Sequence, residues 1–318
     1  MLDSTVDTTL PRLPALAKQT GDVYDRIVKQ TRAAIRDAGF SKVAFGLSGG
    51  LDSALVATIV VDALALDGHP SENVHGIIMP SEWTSQQSLD DAAECVQRLA
   101  ISSQTIDIMP SYDVMLTSLA PSFEGMEVDT TEENLQARIR AVLLMSLSNK
   151  HGWLVLSTSN FSELSVGYST LYGDMVGAFA PLAPVYKTWV YELAVYRNKQ
   201  ARIRGEVEPI SGSILTKEPS AELAPNQTDK ETLGPYLMLD TVLYTFFKGS
   251  GKNTKGKRPG DLVNSAQEVL FEMGFEQDYV ADIITKVINS EYKKIFACPG
   301  AVLPKRLYRK GVSYDDHA

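Results

Sequence analysis

The feature that most constrains this chain is a short loop between an apolar strand-like run and an apolar helical run. The run Val43–Phe45 leads into the loop, the helical run extends from Ala54 to Leu66, and the loop itself reads Gly46-Leu47-Ser48-Gly49-Gly50-Leu51-Asp52-Ser53. Unpaired N–H groups and the positive end of the helix dipole make such a helix N-terminus attractive to an anion. Glycines let the backbone approach a phosphate closely, and the two serines add hydroxyl donors. The loop therefore predicts a phosphate site, with a strand-to-helix turn that binds no ligand as the alternative.

The carboxylate of Asp52 is unexpected in a loop that binds phosphate, because like charges repel unless a cation lies between them. Mg²⁺ is the cation that such oxygen ligands favour. The loop also lacks the G-x-x-x-x-G-K-[ST] pattern of kinases and GTPases. It resembles instead the S-G-G-x-D-S loop of the ATP pyrophosphatases, and this resemblance implies cleavage of ATP between its α and β phosphates.

Composition excludes several classes of protein. The net charge of −9 and the isoelectric point near 5.1 argue against nonspecific binding to nucleic acid. The two cysteines and four histidines have no metal-like spacing, so we expect unpaired thiols and no zinc site. No apolar run reaches the roughly 18 residues of a membrane span, and the N-terminus lacks the pattern of a secretion signal. We therefore expect a cytoplasmic protein that binds neither nucleic acid nor membranes.

Strand-like and helical runs alternate through the first half of the chain. Strands are predicted at Val43–Leu47, Val74–Met79, Thr105–Ile108 and Trp153–Leu156, and helices at Val23–Ala38, Ser53–Leu66, Ser85–Leu99 and Glu132–Asn149. This alternation predicts an α/β fold, a doubly wound parallel sheet with helices on both faces. Ligands of such sheets bind beyond the carboxyl ends of the strands. The Ser/Gly loop, Met79-Pro80-Ser81 and Ser157-Thr158-Ser159-Asn160 all fall at such ends.

The second half of the chain is predicted to be helical. The helices are expected at Lys187–Ile203, Glu231–Phe247, Asp261–Met273 and Gln277–Phe296. Between the second and the third lies a basic, glycine-rich loop at 248–260, which is either a solvated connector or a lid that faces phosphates. We expect an N-terminal arm over residues 1–20, one domain over residues 21–300 and a C-terminal tail over residues 301–318.

Further motifs make a family resemblance specific. They are Glu133-Asn134-Leu135-Gln136-Ala137-Arg138-Ile139-Arg140, Ser157-Thr158-Ser159-Asn160-Phe161-Ser162-Glu163, Tyr172-Gly173-Asp174 continuing to Pro184-Val185-Tyr186-Lys187, and Leu215-Thr216-Lys217-Glu218-Pro219-Ser220-Ala221-Glu222-Leu223. Together with the loop, and in this order, they resemble the NAD⁺ synthetases, which have the adenine nucleotide alpha hydrolase-like fold. The resemblance implies a C–N ligase that makes NAD⁺ from deamido-NAD⁺, ATP and ammonia through an acyl-adenylate, releasing AMP and pyrophosphate.

The resemblance also assigns the ATP and metal residues. ATP-binding positions are Gly46, Leu47, Ser48, Gly49, Gly50, Leu51, Asp52, Ser53, Met79, Thr158, Lys187 and Ser220. Asp52 and Glu163 are expected to hold Mg²⁺, and Lys187 to reach the phosphates of ATP. Each assignment has a plainer alternative: a surface acid or helix cap for Glu163, a solvated lysine for Lys187, and a cap or turn for Thr158 and Ser220.

The resemblance places deamido-NAD⁺ against Arg138, Asp174, Tyr292 and Lys293. We prefer Arg138 to Arg140 as the ligand, with an ion pair on the helix surface as the alternative. Asp174 is the candidate for holding ammonium and taking its proton, because ammonium itself is not nucleophilic. The catalytic set is therefore Asp52, Glu163, Asp174 and Lys187.

The chain departs from the ammonia-dependent members at two positions. It has Leu171 where many of them have Lys, and Ala178 where they have a second Asp. The form Leu171-Tyr172-Gly173-Asp174-Met175, together with Glu291-Tyr292-Lys293-Lys294, resembles the synthetase half of glutamine-dependent members, which carry a large N-terminal glutaminase. Too few residues precede the first strand for such a domain, so we expect free ammonia or a separate glutaminase subunit to supply nitrogen.

Two expectations concern partners. The resemblance implies a homodimer, and the apolar run Ala137–Leu147 is either its contact face or part of the core. A different class of function, a nucleotide-binding protein without catalysis, is disfavoured because Asp52, Glu163, Asp174 and Lys187 are all present. A tRNA-modifying enzyme is disfavoured by the acidic charge.

Overall fold

A parallel β-sheet lies at the centre of the computed structural model, which describes residues 14–225, 227–250, 259–304 and 307. Its strands are β1 (Val43–Gly46), β2 (Val74–Ile78), β3 (Ser102–Thr105) and β4 (Leu154–Val155). The spatial order is β3-β2-β1-β4, and every neighbouring pair is parallel. The doubly wound α/β fold predicted from the sequence is confirmed.

Helices surround this sheet and form most of the second half of the chain. Those of the first half are α1 (Thr20–Asp37), α2 (Leu51–Ala65), α3 (Gln86–Leu99), α4 (Met109–Leu119), α5 (Thr130–His151) and α6 (Phe161–Val166). Those of the second half are α7 (Lys187–Arg204), α8 (Gly212–Thr216), α9 (Asp229–Leu233), α10 (Tyr236–Ser250), α11 (Pro259–Glu272), α12 (Gln277–Asn289) and α13 (Glu291–Lys294). Among the described residues, none of these helices has the length and apolar character that crossing a membrane would require.

The strand order creates a switch point between β1 and β4. From β1 the chain moves outward to β2 and β3, and then returns to place β4 on the other side of β1. The loops that follow β1 and β4 therefore leave the sheet side by side and diverge, which opens a crevice at their carboxyl ends. The Ser/Gly loop and the Ser157–Asn160 segment border this crevice.

Local sequence explains why the elements around the crevice are firmly placed. Val43, Ala44 and Phe45 of β1 are fully buried, as expected for a central strand covered on both faces. Helix α2 is apolar on nearly every side and is buried along its length. Helix α5 begins with a capping box between Asp129 and Glu132, which satisfies N–H groups that a helix start otherwise leaves unpaired.

The third strand was predicted at the wrong position in the sequence. It spans Ser102–Thr105, whereas Thr105–Ile108 was expected. Ile108 is instead fully buried at the start of α4, where it packs in a second core cluster with Tyr112. The alternating Ile106 and Ile108 mimicked a strand, while the true edge strand is polar and largely exposed.

Two long predicted helices are interrupted. The run Glu231–Phe247 breaks at Gly234-Pro235, because Gly234 adopts a φ of +74° and proline cannot donate the next helical hydrogen bond. The run Gln277–Phe296 breaks at Ser290, whose hydroxyl donates to the Ser165 carbonyl at 2.9 Å. The short helices α4, α6 and α8 were not predicted.

Both chain ends lie partly outside the described residues. Within the segment predicted as an arm, Leu16 is buried and the Trp189 indole donates to the Pro14 carbonyl at 2.9 Å. Residues 305–306 and 308–318 of the predicted tail, and residues 251–258 of the basic loop, fall outside the described ranges. The connector and lid interpretations of that loop stay predictions.

Candidate active site

A cavity of about 530 Å³ occupies the crevice at the switch point. That volume lies within the range of about 300–1,000 Å³ common for small-molecule sites. Its walls come from the loops after β1, β2 and β4, from one face of α5, and from the segment 217–223. All three of the strand ends that the sequence predicted to meet therefore line one cavity.

The Ser/Gly loop is shaped by hydrogen bonds among its own groups. The Ser53 hydroxyl donates to the Gly50 carbonyl at 3.0 Å and accepts from the Ser48 N–H at 3.2 Å. The Gly50 N–H donates to the Ser48 hydroxyl at 3.2 Å. These bonds fold the chain tightly as it enters α2, so the helix N-terminus opens onto the cavity.

Gly49 is the loop position that only glycine can fill. Its φ is +76°, and a Cβ placed there would lie 2.1 Å from the Ser88 carbonyl oxygen of α3. Of the loop positions predicted to bind ATP, Gly49 lies outside the cavity lining and packs against α3, while Gly46, Leu47, Ser48, Gly50, Leu51, Asp52 and Ser53 line the cavity.

Two acids and one lysine predicted to be catalytic converge beneath this loop. The ammonium group of Lys187 donates to Oδ2 of Asp52 and, at 3.0 Å, to Oε1 of Glu163. Lys187 is nearly inaccessible, with 4% of its side chain exposed. We call these three residues, together with the Ser/Gly loop, the inner end of the cavity.

Asn160 links the two acids. Its Oδ1 accepts from the Glu163 N–H at 3.1 Å and caps α6, while its Nδ2 donates to Oδ1 of Asp52 at 3.0 Å. One buried amide therefore fixes both a carboxylate on α2 and the first turn of α6. The residue that caps α6 is Asn160 and not Glu163, whose side chain lines the cavity.

The charges of the inner end are strongly coupled. Burial raises the pKa of Glu163 above its ordinary value, and the negative charge of Asp52 adds to this effect, while Lys187 opposes it. Burial alone would lower the pKa of Lys187, but Asp52 and Glu163 raise it well above the usual value. The lysine therefore stays protonated, and the acids hold a cation between them.

The same residues fit Mg²⁺. Carboxylate oxygens of Asp52 and Glu163 already point at one cationic centre, the Lys187 ammonium. Magnesium is commonly held by one or two carboxylates with water and substrate phosphates completing its shell. No cluster of three or more acids, histidines or cysteines suited to a metal occurs within the described ranges.

The other end of the cavity is more open. The Thr170 N–H donates to Oδ1 of Asp174 at 2.6 Å, and Lys293 donates to the carbonyls of Gly167 at 2.8 Å and Ser169 at 2.6 Å. Surrounding protein raises the pKa of Asp174 to about 6, against the Thr170 bond, which lowers it. Asp174 is exposed to the solvent of the cavity, so water screens part of this rise in the free protein.

Arg138 and Tyr292 lie outside the cavity lining, on the exposed rim. The Arg138 guanidinium donates to the Leu171 carbonyl at 3.3 Å, and Tyr292 is exposed on α13. We call Asp174, Lys293, Arg138 and Tyr292 the outer end. Lys293 lines the cavity, and burial lowers its pKa.

Arg140, which we had ranked below Arg138, lines the cavity. Its Nε donates to the Met79 carbonyl at 3.0 Å, and burial lowers its pKa to about 10. The negative charge of Glu222 opposes this effect of burial, and Arg140 faces the cavity where an anionic ligand would lie. Met79 and Thr158 also line the cavity, and the Ser220 hydroxyl there donates to the Gln227 carbonyl at 2.5 Å.

Sequence reasoning missed several residues that support the inner end. Asp229 is buried at the cavity wall, and Tyr236 and Asp240 stand behind Glu163 and Lys187 on α10. A signal was present, because an aspartate inside the apolar run Leu237–Leu243 is hard to place unless it has buried partners. The partners themselves come from distant parts of the chain.

The family model described as NAD synthase matches residues 23–297. A protein of Acinetobacter baylyi named glutamine-dependent NAD(+) synthetase is 40% identical over 302 residues, covering 95% of this chain and 52% of that protein. The chain thus spans about half the length of the curated relatives that it matches.

Solved structures of an NAD⁺ synthetase and an NMN synthetase also superimpose on this chain. A glutamine-dependent NAD⁺ synthetase from Acinetobacter baumannii, in complex with ADP, superimposes with a TM-score of 0.59 at 38% identity, covering 93% of this chain and 49% of that one. An NMN synthetase from Francisella tularensis superimposes with a TM-score of 0.66 at 25% identity, covering 86% of this chain and 95% of that one.

Proposed function

The chain belongs to the NAD synthase family, and from this premise we propose that it amidates deamido-NAD⁺ to NAD⁺ with ATP and ammonia. AMP and pyrophosphate are the other products. The observation that carries the proposal is the convergence of Asp52, Glu163 and Lys187 beneath a phosphate-type loop, inside a cavity at the switch point. ATP binding and a role in NAD biosynthesis follow from the family.

The first step activates a carboxylate that is otherwise a poor electrophile. An oxygen of the nicotinate carboxylate attacks the α-phosphorus of ATP, the bond to the β-phosphate oxygen breaks, and pyrophosphate leaves with its electron pair. Donors of the Ser/Gly loop and the Lys187 ammonium face the developing negative charge. Asp52 and Glu163 would hold Mg²⁺, which supplies positive charge that screens the phosphates from each other and from these carboxylates.

The second step transfers nitrogen. Ammonia attacks the carbonyl carbon of the acyl-adenylate, and the bond to the AMP oxygen breaks. Asp174 is suited to hold ammonium and accept the proton that makes ammonia nucleophilic, because its raised pKa brings it closer to that task. Lys293 and the rim residues Arg138 and Tyr292 supply the cationic and aromatic groups that a dinucleotide with two phosphates requires.

The nitrogen donor is proposed to be ammonia itself at this site. The two Acinetobacter relatives are named glutamine-dependent and are about twice as long, so their glutamine chemistry cannot be carried over to the matched half. A glutaminase acting separately would deliver ammonia to the same Asp174. Adding glutamine alone to the purified chain distinguishes the two arrangements.

We also propose that the chain acts as a homodimer. Apolar side chains stand exposed from α4 through α5, namely Val114, Met115, Met126, Val128, Val142 and Met145. Val128 is 81% exposed and Val142 58% exposed, in a stretch that a second copy would cover. Sedimentation equilibrium should report a dimer that Val142→Asp dissociates, while Val195→Asp, at a valine 56% exposed on α7, leaves it intact.

The deciding experiment supplies Mg²⁺-ATP with deamido-NAD⁺ and either ammonium or glutamine. NAD⁺, AMP and pyrophosphate formed with ammonium alone would support the self-contained synthetase. A parallel tube replaces deamido-NAD⁺ by nicotinate mononucleotide, because one solved relative is an NMN synthetase. Turnover of the mononucleotide but not of deamido-NAD⁺ would mean that the mononucleotide is the substrate. ATP binding without turnover in every tube would favour the non-catalytic alternative.

A further inference from the structure

Helix α7 begins without a cap of its own. Its N-cap residue, Tyr186, makes no side-chain cap hydrogen bond, although Lys187 lies in the first turn of this 18-residue helix. The first N–H groups of a helix have no partner within the helix and need one elsewhere. At α7 these partners come from two other helices.

Asp240 of α10 supplies most of this external cap. Its Oδ2 accepts from the Thr188 N–H at 2.8 Å and from the Thr188 hydroxyl at 2.8 Å. Its Oδ1 accepts from the Ser162 hydroxyl, which in turn accepts from the Lys187 N–H at 2.8 Å. Asp240 has no exposed surface, and its carboxylate lies where the helix dipole favours negative charge. It therefore ties α6 and α7 together beside Lys187.

One helical turn earlier, Tyr236 supports the other side of the inner end. Positions four apart share a face of a helix, so Tyr236 and Asp240 both face α6 and α7. The Tyr236 hydroxyl lies 3.0 Å from Oε1 of Glu163 and 2.7 Å from Oδ2 of Asp229. The Lys187 ammonium stands 5.0 Å from the centroid of the same ring.

We propose that Tyr236 and Asp240 are positioning residues, which set the orientation of the Glu163 carboxylate and the Lys187 ammonium for the reaction. This inference rests on the proposed function. Asp240 fixes where the Lys187 side chain leaves α7, and Tyr236 fixes the rotation of Glu163. Displacement of a reacting group by 1 Å costs up to about 100-fold in rate. Neither side chain touches the cavity, so each acts through its neighbours.

The test uses three substitutions and one matched control. Tyr236→Phe removes only the hydroxyl, Asp240→Asn replaces a carboxylate by an isosteric amide, and Thr188→Val removes one donor to Asp240. Tyr279→Phe is the control, because the hydroxyl of this half-buried side chain donates to the Leu233 carbonyl at 2.9 Å and not to an acid of the site. Tyr279→Phe loses one phenolic hydrogen bond, whereas Tyr236→Phe loses the contacts to Glu163 and Asp229, so the Tm of each variant is measured to confirm that it is folded.

The expected result is a split between kcat and KM. We expect kcat to fall about tenfold in Tyr236→Phe and about 30-fold in Asp240→Asn, with little change in the KM for ATP. Thr188→Val should fall between wild type and Asp240→Asn, and Tyr279→Phe should keep the wild-type kcat. If Asp240→Asn does not fold, Tyr236→Phe and Thr188→Val decide the question.

A second readout does not depend on turnover. Electron paramagnetic resonance measures binding of Mn²⁺ in the presence of α,β-methylene-ATP, and Tyr236→Phe should weaken it about tenfold, whereas Tyr279→Phe should not. Wild-type kcat and Mn²⁺ affinity in folded Tyr236→Phe and Asp240→Asn would overturn the inference. If the wild-type chain fails to make NAD⁺, the proposed function is wrong, and the Mn²⁺ measurement alone decides the positioning role.

Discussion

The two ends of the cavity are built in different ways. At the inner end, Asp52, Glu163 and Lys187 are mutually bonded, largely buried and braced by residues from behind the cavity. At the outer end, Asp174 is open to solvent, and Arg138 and Tyr292 stand on the exposed rim. The contrast teaches that the end proposed to handle phosphate and metal is preformed by groups of one chain. The end expected to bind the dinucleotide offers groups that a ligand or a second copy must organise.

The largest expected effect comes from breaking the inner end at its cation. Lys187→Met leaves two acids without their counter-charge, so we expect turnover to fall by about 1,000-fold. The free energy of unfolding should fall by roughly 3 kcal/mol in the absence of Mg²⁺, because a buried pair has lost one partner. Steady-state kinetics and denaturant titration measure both effects.

Added Mg²⁺ should recover part of the stability lost in Lys187→Met, since it replaces the missing charge. Lys217→Met is the control: this lysine lines the same cavity but pairs with Glu222 at 3.4 Å. Equal losses in both variants would show that the inner end is not special.

A second break tests whether the loop is held against α3. In Gly49→Ala the new methyl group would meet the Ser88 carbonyl at a positive φ, so we expect a loss of about 3 kcal/mol in unfolding free energy. Gly68→Ala has nearly the same φ, +74°, with no atom within 4 Å, and should lose only about 1 kcal/mol. Urea titration compares the two, and similar losses would mean that the contact with α3 does not matter.

The outer end is tested by Asp174→Asn, whose carbonyl can still accept the Thr170 hydrogen bond. We expect kcat/KM for ammonium to fall about 100-fold, because an amide can neither hold the cation nor take its proton. In the wild type, the same quantity calculated per ammonium ion should fall as pH drops through about 6, where the carboxylate takes a proton. A wild-type-like pH profile in Asp174→Asn would remove this residue from the mechanism.

The free energy of unfolding should also depend on whether Asp174 is protonated. The folded pKa of Asp174 is raised, so the folded state binds this proton more tightly than the unfolded state does. The resulting destabilisation is absent below the unfolded pKa, grows as pH rises from there towards about 6, and is constant above it. Asp174→Asn should therefore be the more stable protein at pH 8 but not at pH 3.

The smallest expected effect separates the two arginines of α5. Arg140→Gln should raise the KM for ATP about tenfold, because the cavity loses a buried positive charge beside Met79. Arg138→Gln should leave the KM for ATP unchanged and raise the KM for deamido-NAD⁺. The reverse pattern would mean that ATP binds at the outer end of the cavity and deamido-NAD⁺ at the inner end.

Sequence alone predicted the parts of the site that are local. The Ser/Gly loop, its helix and the strand ends around it follow from glycine positions, apolar runs and the rule for parallel sheets. The family resemblance brought in Glu163, Asp174 and Lys187, whose positions in the fold no pattern of spacing gives. For the same reason, the preference for Arg138 over Arg140 could not be decided before the direction of α5 relative to the cavity was known.

The errors have physical causes of the same kind. Ile106 and Ile108 alternate as strand residues do, but tertiary packing uses Ile108 to begin α4. The break at Ser290 depends on Gly167, whose added Cβ would meet the Ser290 Cβ at 2.5 Å. Those two residues are far apart in sequence, so no local propensity could signal the break.

The ion pair between Asp52 and Lys187 joins residues 135 positions apart. A ribosome adding about 5–20 residues per second needs roughly 7–27 seconds to pass from one to the other. Throughout that interval the growing chain carries the Ser/Gly loop and its first acid without the lysine that neutralises it, and the bracing helix α10 arrives later still. Completion of this end of the sheet is therefore a late event in synthesis, set by long-range closure of the chain rather than by the speed of any single helix.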